Sequence, residues 1–264
     1  MNSDDTGNDR DWLQVWPNRL AARGDLICIA GAGAGASVFR PWHKKLPGYC
    51  SMHVCQLPGR ENRIDEPAIE HLPDAADRLL RAYLNQRAES RPLIVFGHSM
   101  GGVIAFELAS RFIRNQVPIA AVLLSASTPP RSDNRRERPD RDQLKAMLMA
   151  FDPENQSIVE NDELFASLEP TLMGDFQMLR CHKVACTGEL PNVPTYLLSG
   201  ASDPVVPENM AALWASHLSE PEIVPAYPGG HQFPFKQSQG LVLSLLRRIL
   251  EQAKRDAANQ GLSM

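Results

Sequence analysis

The 264-residue sequence lacks several features that would assign a protein to a class at once. No apolar run is long enough to cross a membrane, and the acidic first residues contain no apolar core of the kind that secretory signals carry. The formal net charge is −4, so the excess of positive charge typical of general nucleic-acid binders is missing. We therefore expect a cytoplasmic protein whose partners include neither a membrane nor a nucleic acid.

The cysteines do not form the even, regularly spaced set that a disulfide framework or a zinc site requires. Five occur, at positions 28, 50, 55, 181 and 186. Cys28 and Cys55 lie in apolar segments and are interpreted as small buried side chains. Cys181, His182 and Cys186 on one predicted helix suggest a metal, but no second cluster of ligands completes a site. The sequence therefore predicts reduced thiols, no metal and no cofactor.

What the sequence does contain is an alternation of short apolar segments with amphipathic ones. Strands are predicted over residues 26–30, 52–56, 93–97, 119–124, 195–199 and 222–226. Helices are predicted over residues 69–84, after Gly102, near residue 207 and over residues 241–250. This alternation is typical of a mostly parallel central sheet with helices on both faces. We expect a single α/β domain over residues 1–264.

The alternation breaks between residues 125 and 195. The connection is far longer than an ordinary crossover, and it contains helical patterns around residues 142–151, 161–168 and 171–184. We predict a helical insertion over residues 128–190 at the C-terminal edge of the sheet, where open α/β sheets bind ligands. Its methionines suit an adaptable apolar lid over a substrate, and the alternative is that these helices simply extend the core.

The motif around which the chain is organised is Gly97-His98-Ser99-Met100-Gly101, between an apolar strand and a helix. Gly-x-Ser-x-Gly in this position is the pattern of a nucleophile elbow, a strand-to-helix turn so sharp that the serine is exposed in a strained conformation. Glycines at both ends remove side chains that would clash across the turn. The motif predicts that Ser99 is a nucleophile.

A serine hydroxyl is a weak nucleophile at neutral pH and needs a base, which in turn needs an orienting acid. In α/β-hydrolase folds the acid and then the histidine follow the serine, each on a loop after a later strand. Asp203 and His231 fit that order. Of the seven histidines, only His231 follows the last predicted strand in a glycine-flanked loop. Asp133 and Asp175 are alternative acids with less suitable placement.

Two backbone N–H groups are expected to stabilise the oxyanion that forms when Ser99 attacks a carbonyl. One belongs to Met100, at the start of the helix. The other falls within residues 31–34, a loop after the first predicted strand whose small residues let the backbone approach closely.

The same loop has one competing interpretation. Gly31-x-Gly33-x-x-Ala36 after a strand is a relaxed form of the dinucleotide-binding fingerprint. That fingerprint needs an acidic residue at the end of the second strand to hold the ribose. Here Gln56 occupies this position, and the first acid is Glu61. The pattern therefore favours a hydrolase over a nicotinamide-dependent oxidoreductase.

Together these residues resemble the type II thioesterases, the stand-alone editing hydrolases of nonribosomal peptide and polyketide biosynthesis. The resemblance covers nearly the whole chain after residue 25. It is carried by Ala36-Ser-Val-Phe-Arg-Pro-Trp42, Gln56-Leu-Pro-Gly-Arg60 with Asp65-Glu66-Pro67, Gly97-His-Ser-Met-Gly-Gly102, Pro228-Gly-Gly-His231, and the lid-like segment 168–180 with Asp175-Phe176. This combination is more specific than Gly-x-Ser-x-Gly, which alone indicates only a hydrolase.

The resemblance implies an α/β-hydrolase fold with a helical lid, a triad of Ser99, Asp203 and His231, and Ala32 as the second oxyanion donor. It implies an acyl thioester substrate on the phosphopantetheine arm of an acyl or peptidyl carrier protein, met transiently and without a cofactor. We expect the enzyme to be a monomer. Residues 30–34 read Ala-Gly-Ala-Gly-Ala where the family commonly has Pro-His-Ala-Gly-Gly. The alternative function is a carboxylesterase or a small-molecule (acyl-CoA) thioesterase that never meets a carrier.

Carrier proteins are usually acidic, so the resemblance also implies a basic docking surface. The candidates are arginines within one charged segment, interrupted by three acids: Arg131, Arg135, Arg136, Arg138 and Arg141, with Asp133, Glu137 and Asp140 between them. The alternative is a solvated loop of mixed charge.

Overall fold

A computed structural model of the chain describes residues 9–259 except 18–19, 88–90, 130–137, 182–189 and 191–192. Its centre is a seven-stranded sheet in the order β1-β3-β2-β4-β5-β6-β7. The strands are β1 Leu13–Trp16, β2 Gly24–Ile29, β3 Cys50–Cys55, β4 Leu93–His98, β5 Ile119–Ser125, β6 Thr195–Leu198 and β7 Glu222–Ile223. All neighbouring pairs are parallel except β1 with β3. The mostly parallel sheet expected from the sequence is confirmed.

The helices are α1 Arg40–Lys45, α2 Leu72–Gln86, α3 Met100–Arg114, α4 Arg141–Phe151, α5 Gln156–Glu160, α6 Asp162–Cys181, α7 Met210–Trp214 and α8 Gln239–Asn259. The first long helix begins at Leu72 and not at residue 69, with Pro73 in its first turn. Proline is favoured there because its missing N–H would have no partner within the helix. No helix in the described part of the chain is long and apolar enough to cross a membrane.

Both faces of the sheet are covered, which explains the continuous apolar runs of its central strands. Every residue of β2, β3 and β4 is buried. On one face, side chains of α2 and α3, such as Leu79 and Phe106, pack with Ile27 and Val95. On the other face, α1 and α8 pack through Trp42 and Leu246. A strand that is buried on both faces has no polar side to alternate with its apolar one.

Two further differences from expectation concern α8 and α6. The helical face of α8 includes the buried Val242, Leu246 and Ile249, but Leu241 is 52% exposed and does not belong to it. The predicted pair of helices over 161–168 and 171–184 is one helix, α6, which continues through Pro170. A proline interrupts one backbone hydrogen bond. Here apolar packing by Phe165 before it and Leu172 after it supports both halves of the helix.

In the described part of the segment between β5 and β6, helices α4, α5 and α6 share a separate apolar cluster. Leu144, Leu148 and Phe151 of α4 meet Phe165 and Leu172 of α6. The start of α4 is fixed by a capping box, in which the Asp140 carboxylate accepts from the Gln143 N–H and the Gln143 side chain accepts from the Asp140 N–H. A small core of their own lets these helices hold their shape beside the sheet.

Candidate active site

The elbow places Ser99 between the end of β4 and the first turn of α3. Its φ angle is 55°, which is strained for a residue with a side chain. Two glycines make the turn sterically feasible: a Cβ on Gly97 would overlap the Gly101 carbonyl, and a Cβ on Gly101 would overlap the carbonyl of Ile29. The Ser99 N–H donates to the Ser125 carbonyl at 2.8 Å, which ties the turn to the neighbouring strand.

The three residues predicted to act together are brought together. Nε2 of His231 lies 3.0 Å from the Ser99 Oγ, and Nδ1 of His231 lies 2.9 Å from Oδ2 of Asp203. The other carboxylate oxygen of Asp203 accepts from the N–H groups of Val205 and Val206, at 2.8 and 3.2 Å. The carboxylate is therefore fixed by its own loop, and it can hold the imidazole with Nε2 free to accept a proton from Ser99.

The environment of this group is largely apolar. The side chains of His231 and Asp203 are 1% and 2% exposed. The ring of Phe151 stacks on His231, with the two centroids 5.2 Å apart. The centroid of the His98 ring lies 5.0 Å from that of His231, and the two histidine rings are tilted by 49°. Burial in this low-polarity setting, together with the nearby His231, keeps the pKa of His98 well below its ordinary value. His98 is therefore neutral, and its Nδ1 lies 3.2 Å from the Ser125 hydroxyl.

A cavity of about 130 Å³ opens beside Ser99. Its wall includes Ala32 and Met100, the two residues predicted to donate to an oxyanion. The loop containing Ala32 lies close to the nucleophile, since a Cβ on Gly31 would come within 3.3 Å of the Ser99 Cβ. Within the described residues, neither the Ala32 N–H nor the Met100 N–H has a hydrogen-bond partner. Both donors are therefore available to a ligand in the cavity.

Side chains from the helices between β5 and β6 complete the wall. Phe151 comes from α4, and Phe176, Leu179 and Arg180 come from α6. The sequence pattern gave no indication of Phe151 as a neighbour of the histidine, or of His98 behind it. A stacking contact between residues 80 positions apart has no local signal, whereas His98 stood in the elbow motif without an assigned role.

Asp175, an alternative acid in the sequence analysis, lies elsewhere in the site. Its carboxylate is fully buried and accepts from two guanidinium nitrogens of Arg60, at 2.6 and 2.9 Å, and from the Gly33 N–H at 2.8 Å. None of these bonds goes to His231. The other alternative acid, Asp133, lies outside the described residues.

The same contacts contradict the dinucleotide interpretation of the glycine-rich loop. A pyrophosphate would need the loop's N–H groups, but the Gly33 N–H is taken by the Asp175 carboxylate and the Ala36 N–H by Gln56 Oε1 at 2.8 Å. A Cβ on Gly33 would come within 2.8 Å of a methyl carbon of Leu172, so the side chain of Leu172 packs directly against this glycine. The glycines accommodate side chains of this protein and not a cofactor.

Other predicted features are only partly visible. Cys28, Cys50 and Cys55 are buried free thiols, and burial raises the pKa of Cys50 and of Cys55 to about 12. His182 and Cys186 lie outside the described residues, as does the side chain of Cys181. Within the ranges that the structure describes, no group of three or more His, Cys, Asp or Glu side chains has the geometry to hold a metal ion.

The arginine segment is also mostly outside the description, which excludes Arg131, Arg135 and Arg136. Arg138 is exposed. Arg141 is engaged within the protein, where it pairs with Glu169 at 2.8 Å and Asp162 at 3.2 Å. A docking role for Arg141 would therefore compete with contacts that join α4 to α6.

Known proteins with similar sequences identify the family. The family model described as thioesterase domain matches residues 25–251. A probable cadicidin biosynthesis thioesterase of Streptomyces griseus is 28% identical over 84% of this chain, and the match spans 61% of that relative. Linear gramicidin dehydrogenase LgrE of Brevibacillus parabrevis is 31% identical over 86% of this chain and 87% of its own length. That second relative is named as a dehydrogenase and not as a thioesterase. The family model that matches residues 25–251 of this chain is nevertheless the thioesterase domain.

Solved structures agree with this family. The type II thioesterase BorB from the borrelidin biosynthetic cluster has a TM-score of 0.79 and 27% identity, covering 95% of this chain and 99% of its own. The expected α/β-hydrolase fold is confirmed, and the resemblance seen in the motifs is confirmed at the level of the family. The chain belongs to the thioesterase domain family and is a hydrolase of thioesters.

Proposed function

We propose that the protein is a type II, editing thioesterase that releases acyl groups from the phosphopantetheine arm of acyl or peptidyl carrier proteins in nonribosomal peptide or polyketide biosynthesis. The observation that carries the proposal is the hydrogen-bonded series Ser99–His231–Asp203 beside a cavity whose wall includes Ala32 and Met100, two residues whose N–H groups have no partner among the described residues. The names of the relatives from the cadicidin and borrelidin systems support the pathway class. Buried free thiols suit a cytoplasmic location.

The proposed chemistry has two halves that use the same groups. His231 Nε2 takes the Ser99 proton as Oγ attacks the thioester carbonyl carbon, and the N–H groups of Met100 and Ala32 bind the resulting oxyanion. Collapse of this intermediate breaks the carbon–sulfur bond, and the imidazolium returns its proton to the departing pantetheine thiolate. Water, deprotonated by His231, then attacks the acyl-serine carbonyl carbon; collapse breaks the bond from that carbon to Ser99 Oγ, the imidazolium returns its proton to Oγ, and the free acid leaves. Asp203 stabilises the positive imidazolium in both halves.

We further propose that residues 128–190 act as a lid within a single domain. The support is positional: Phe151, Phe176 and Leu179 from this segment form one wall of the cavity, and Phe151 also stacks on the base. An apolar wall beside the nucleophile suits an acyl chain and keeps competing water away from the thioester.

The test compares kcat/KM on an acyl-loaded carrier protein, the same acyl group on pantetheine, and a simple ester. We expect the carrier-bound substrate to be preferred by about 10-fold or more, because docking adds binding energy that free pantetheine cannot supply. Equal values on carrier and pantetheine would instead indicate a small-molecule thioesterase. Preference for the ester would indicate a carboxylesterase.

Salt and charge variants test the docking surface within the same assay. Raising the ionic strength should lower kcat/KM on the carrier and leave the pantetheine substrate unchanged. The variant R136S/R138S should show a weaker salt effect than the wild type. The matched control R248S/R255S removes the same charge from α8, which contributes no residue to the cavity wall within the described chain. Equal behaviour of the two variants would contradict docking at the arginine segment.

A further inference from the structure

The loop that carries the second oxyanion donor is held by side chains from distant parts of the chain. The Asp175 carboxylate accepts from the Gly33 N–H at 2.8 Å. The Arg60 guanidinium donates to the Ala34 carbonyl at 3.3 Å, and Gln56 accepts from the Ala36 N–H at 2.8 Å. The Ala34 N–H closes a turn onto the Gly31 carbonyl at 3.2 Å. These bonds engage the N–H groups of Gly33, Ala34 and Ala36, whereas no partner is found for the Ala32 N–H among the described residues.

The peptide plane next to the donor is held by the Asp175 carboxylate and by the turn from the Ala34 N–H to the Gly31 carbonyl. The Ala32 and Gly33 N–H groups lie on successive peptides, so the orientation of one limits the orientation of the other through a single residue's φ and ψ. The residue between these two peptides is Ala32, and the following residue, Gly33, has a φ of +74°, which glycine adopts readily and which completes the turn. A carboxylate that accepts the Gly33 N–H therefore restricts the orientation of the neighbouring Ala32 N–H, which belongs to a residue of the cavity wall.

Arg60 offsets the charge of this carboxylate, which would otherwise repel the negative charge that develops on the oxyanion. It binds both carboxylate oxygens, at 2.6 and 2.9 Å, and the two side chains are 4% and 0% exposed. A bidentate guanidinium pair neutralises the carboxylate and fixes its plane. Thr171, one turn earlier on α6, also donates to the Gly59 carbonyl, so the helix and the loop before Arg60 are joined at two points.

We propose that Asp175 and Arg60 are positioning residues for the oxyanion donor Ala32, and that they couple the position of α6 to the geometry of the oxyanion site. The same helix lines the cavity with Phe176 and Leu179. An acyl chain that packs against α6 therefore affects the position of Asp175, and through it the loop that stabilises the transition state. This inference rests on the proposed role of Ser99 and Ala32. Neither Asp175 nor Arg60 touches the reacting atoms.

The test uses D175N, which keeps the shape of the side chain. An amide cannot accept from Gly33 and from both Arg60 nitrogens at once, because one of its two ends is a donor. On an acyl-pantetheine substrate we expect kcat to fall about 10- to 100-fold, with KM changed less than about 2-fold, since the lost interaction acts in the transition state.

Two inhibitors give a readout that a purely structural role would not produce. A pantetheine trifluoromethyl ketone forms a tetrahedral adduct with Ser99 and needs the oxyanion donors, whereas the matching thioether analogue binds as the ground state. We expect D175N to weaken the ketone about 10-fold or more and to leave the thioether within about 2-fold. Equal weakening of both inhibitors would overturn the proposal, as would wild-type kcat.

The control is E107Q, which alters another buried carboxylate–arginine pair, that of Glu107 and Arg111 on α3, away from the glycine-rich loop. It should lower thermal stability without separating the two inhibitors. If D175N does not fold, R60K decides: lysine keeps the charge but cannot bind both carboxylate oxygens and the Ala34 carbonyl together, so the same selective loss is expected. R60K with wild-type kcat and ketone affinity would overturn the proposal.

The outcome is separable from that of the proposed function. If the wild type hydrolyses acyl-pantetheine but shows no preference for a carrier, the carrier proposal fails and the inhibitor comparison still decides the role of Asp175. If the wild type prefers carriers while D175N and E107Q behave alike, only the positioning role fails.

Discussion

The elbow and the glycine-rich loop lie on two sides of the same cavity, and they are held in place in different ways. The elbow depends on residues close together in sequence: Ser99 has a φ of 55°, and a Cβ on Gly97 would overlap the Gly101 carbonyl four residues later, although the turn also packs against Ile29 and Ser125 of the neighbouring strands. The loop over residues 31–36 is fixed by partners 20 to 142 positions away. A feature made by local sterics can be recognised in a short motif, while one made by distant side chains requires the fold.

The largest effects are expected at the two buried carboxylates of the site. Asp203 serves the base beside the elbow serine, and Asp175 serves the glycine-rich loop. D203N removes the acceptor that holds the imidazole tautomer, so we expect kcat/KM to fall about 10³- to 10⁴-fold. D175N should cost at most about 10²-fold, because it displaces a donor without removing one. Hydrolysis of one acyl-pantetheine by both purified variants is the measurement. Similar losses would mean that the triad and the loop support contribute equally, which contradicts the distinction.

A glycine exchange tests the local half of the comparison through stability. In G97A the new Cβ overlaps the Gly101 carbonyl, and backbone on both sides cannot move away, so we expect a loss of about 3 kcal/mol in the free energy of unfolding. G240A is the matched control, since a Cβ there has nothing within 4 Å and the position lies in α8. It should be neutral or stabilising by up to about 1 kcal/mol. Urea unfolding measures both, and a G97A protein as stable as G240A would contradict the steric account of the elbow.

The sequence predicted most of the fold because its central strands are buried on both faces and its main helices have one apolar side. It did not predict β1, whose four residues Leu13–Trp16 pair antiparallel with β3 at the edge of the sheet. An edge strand this short has no periodicity that distinguishes it from a loop. Likewise, the helical patterns over residues 161–168 and 171–184 were predicted separately, whereas packing on both sides of Pro170 supports the single helix α6.

For the site as well, residues in a recognisable local pattern could be predicted, whereas contacts between distant segments could not. Ser99, His231 and Asp203 each lie in a local context that is informative: an elbow, a glycine-flanked loop and a turn after a strand. Arg60 and Asp175 stood in segments that resembled the thioesterases, but their contact, 115 positions apart in sequence, has no signature in either segment. Two charged side chains read separately are most simply surface residues, and only their burial in the fold shows them as a pair.

We propose above that Ser99 releases acyl groups from a carrier protein. The most direct measurement is intact-protein mass spectrometry of an acyl-loaded carrier incubated with a catalytic amount of the wild type or of S99A. With the wild type, we expect the carrier to lose the acyl mass and to keep its phosphopantetheine. With S99A, we expect the rate of deacylation to be lower by about 10⁴-fold or more. An acyl-carrier left intact by the wild type, or deacylated equally fast by S99A, would contradict this proposal.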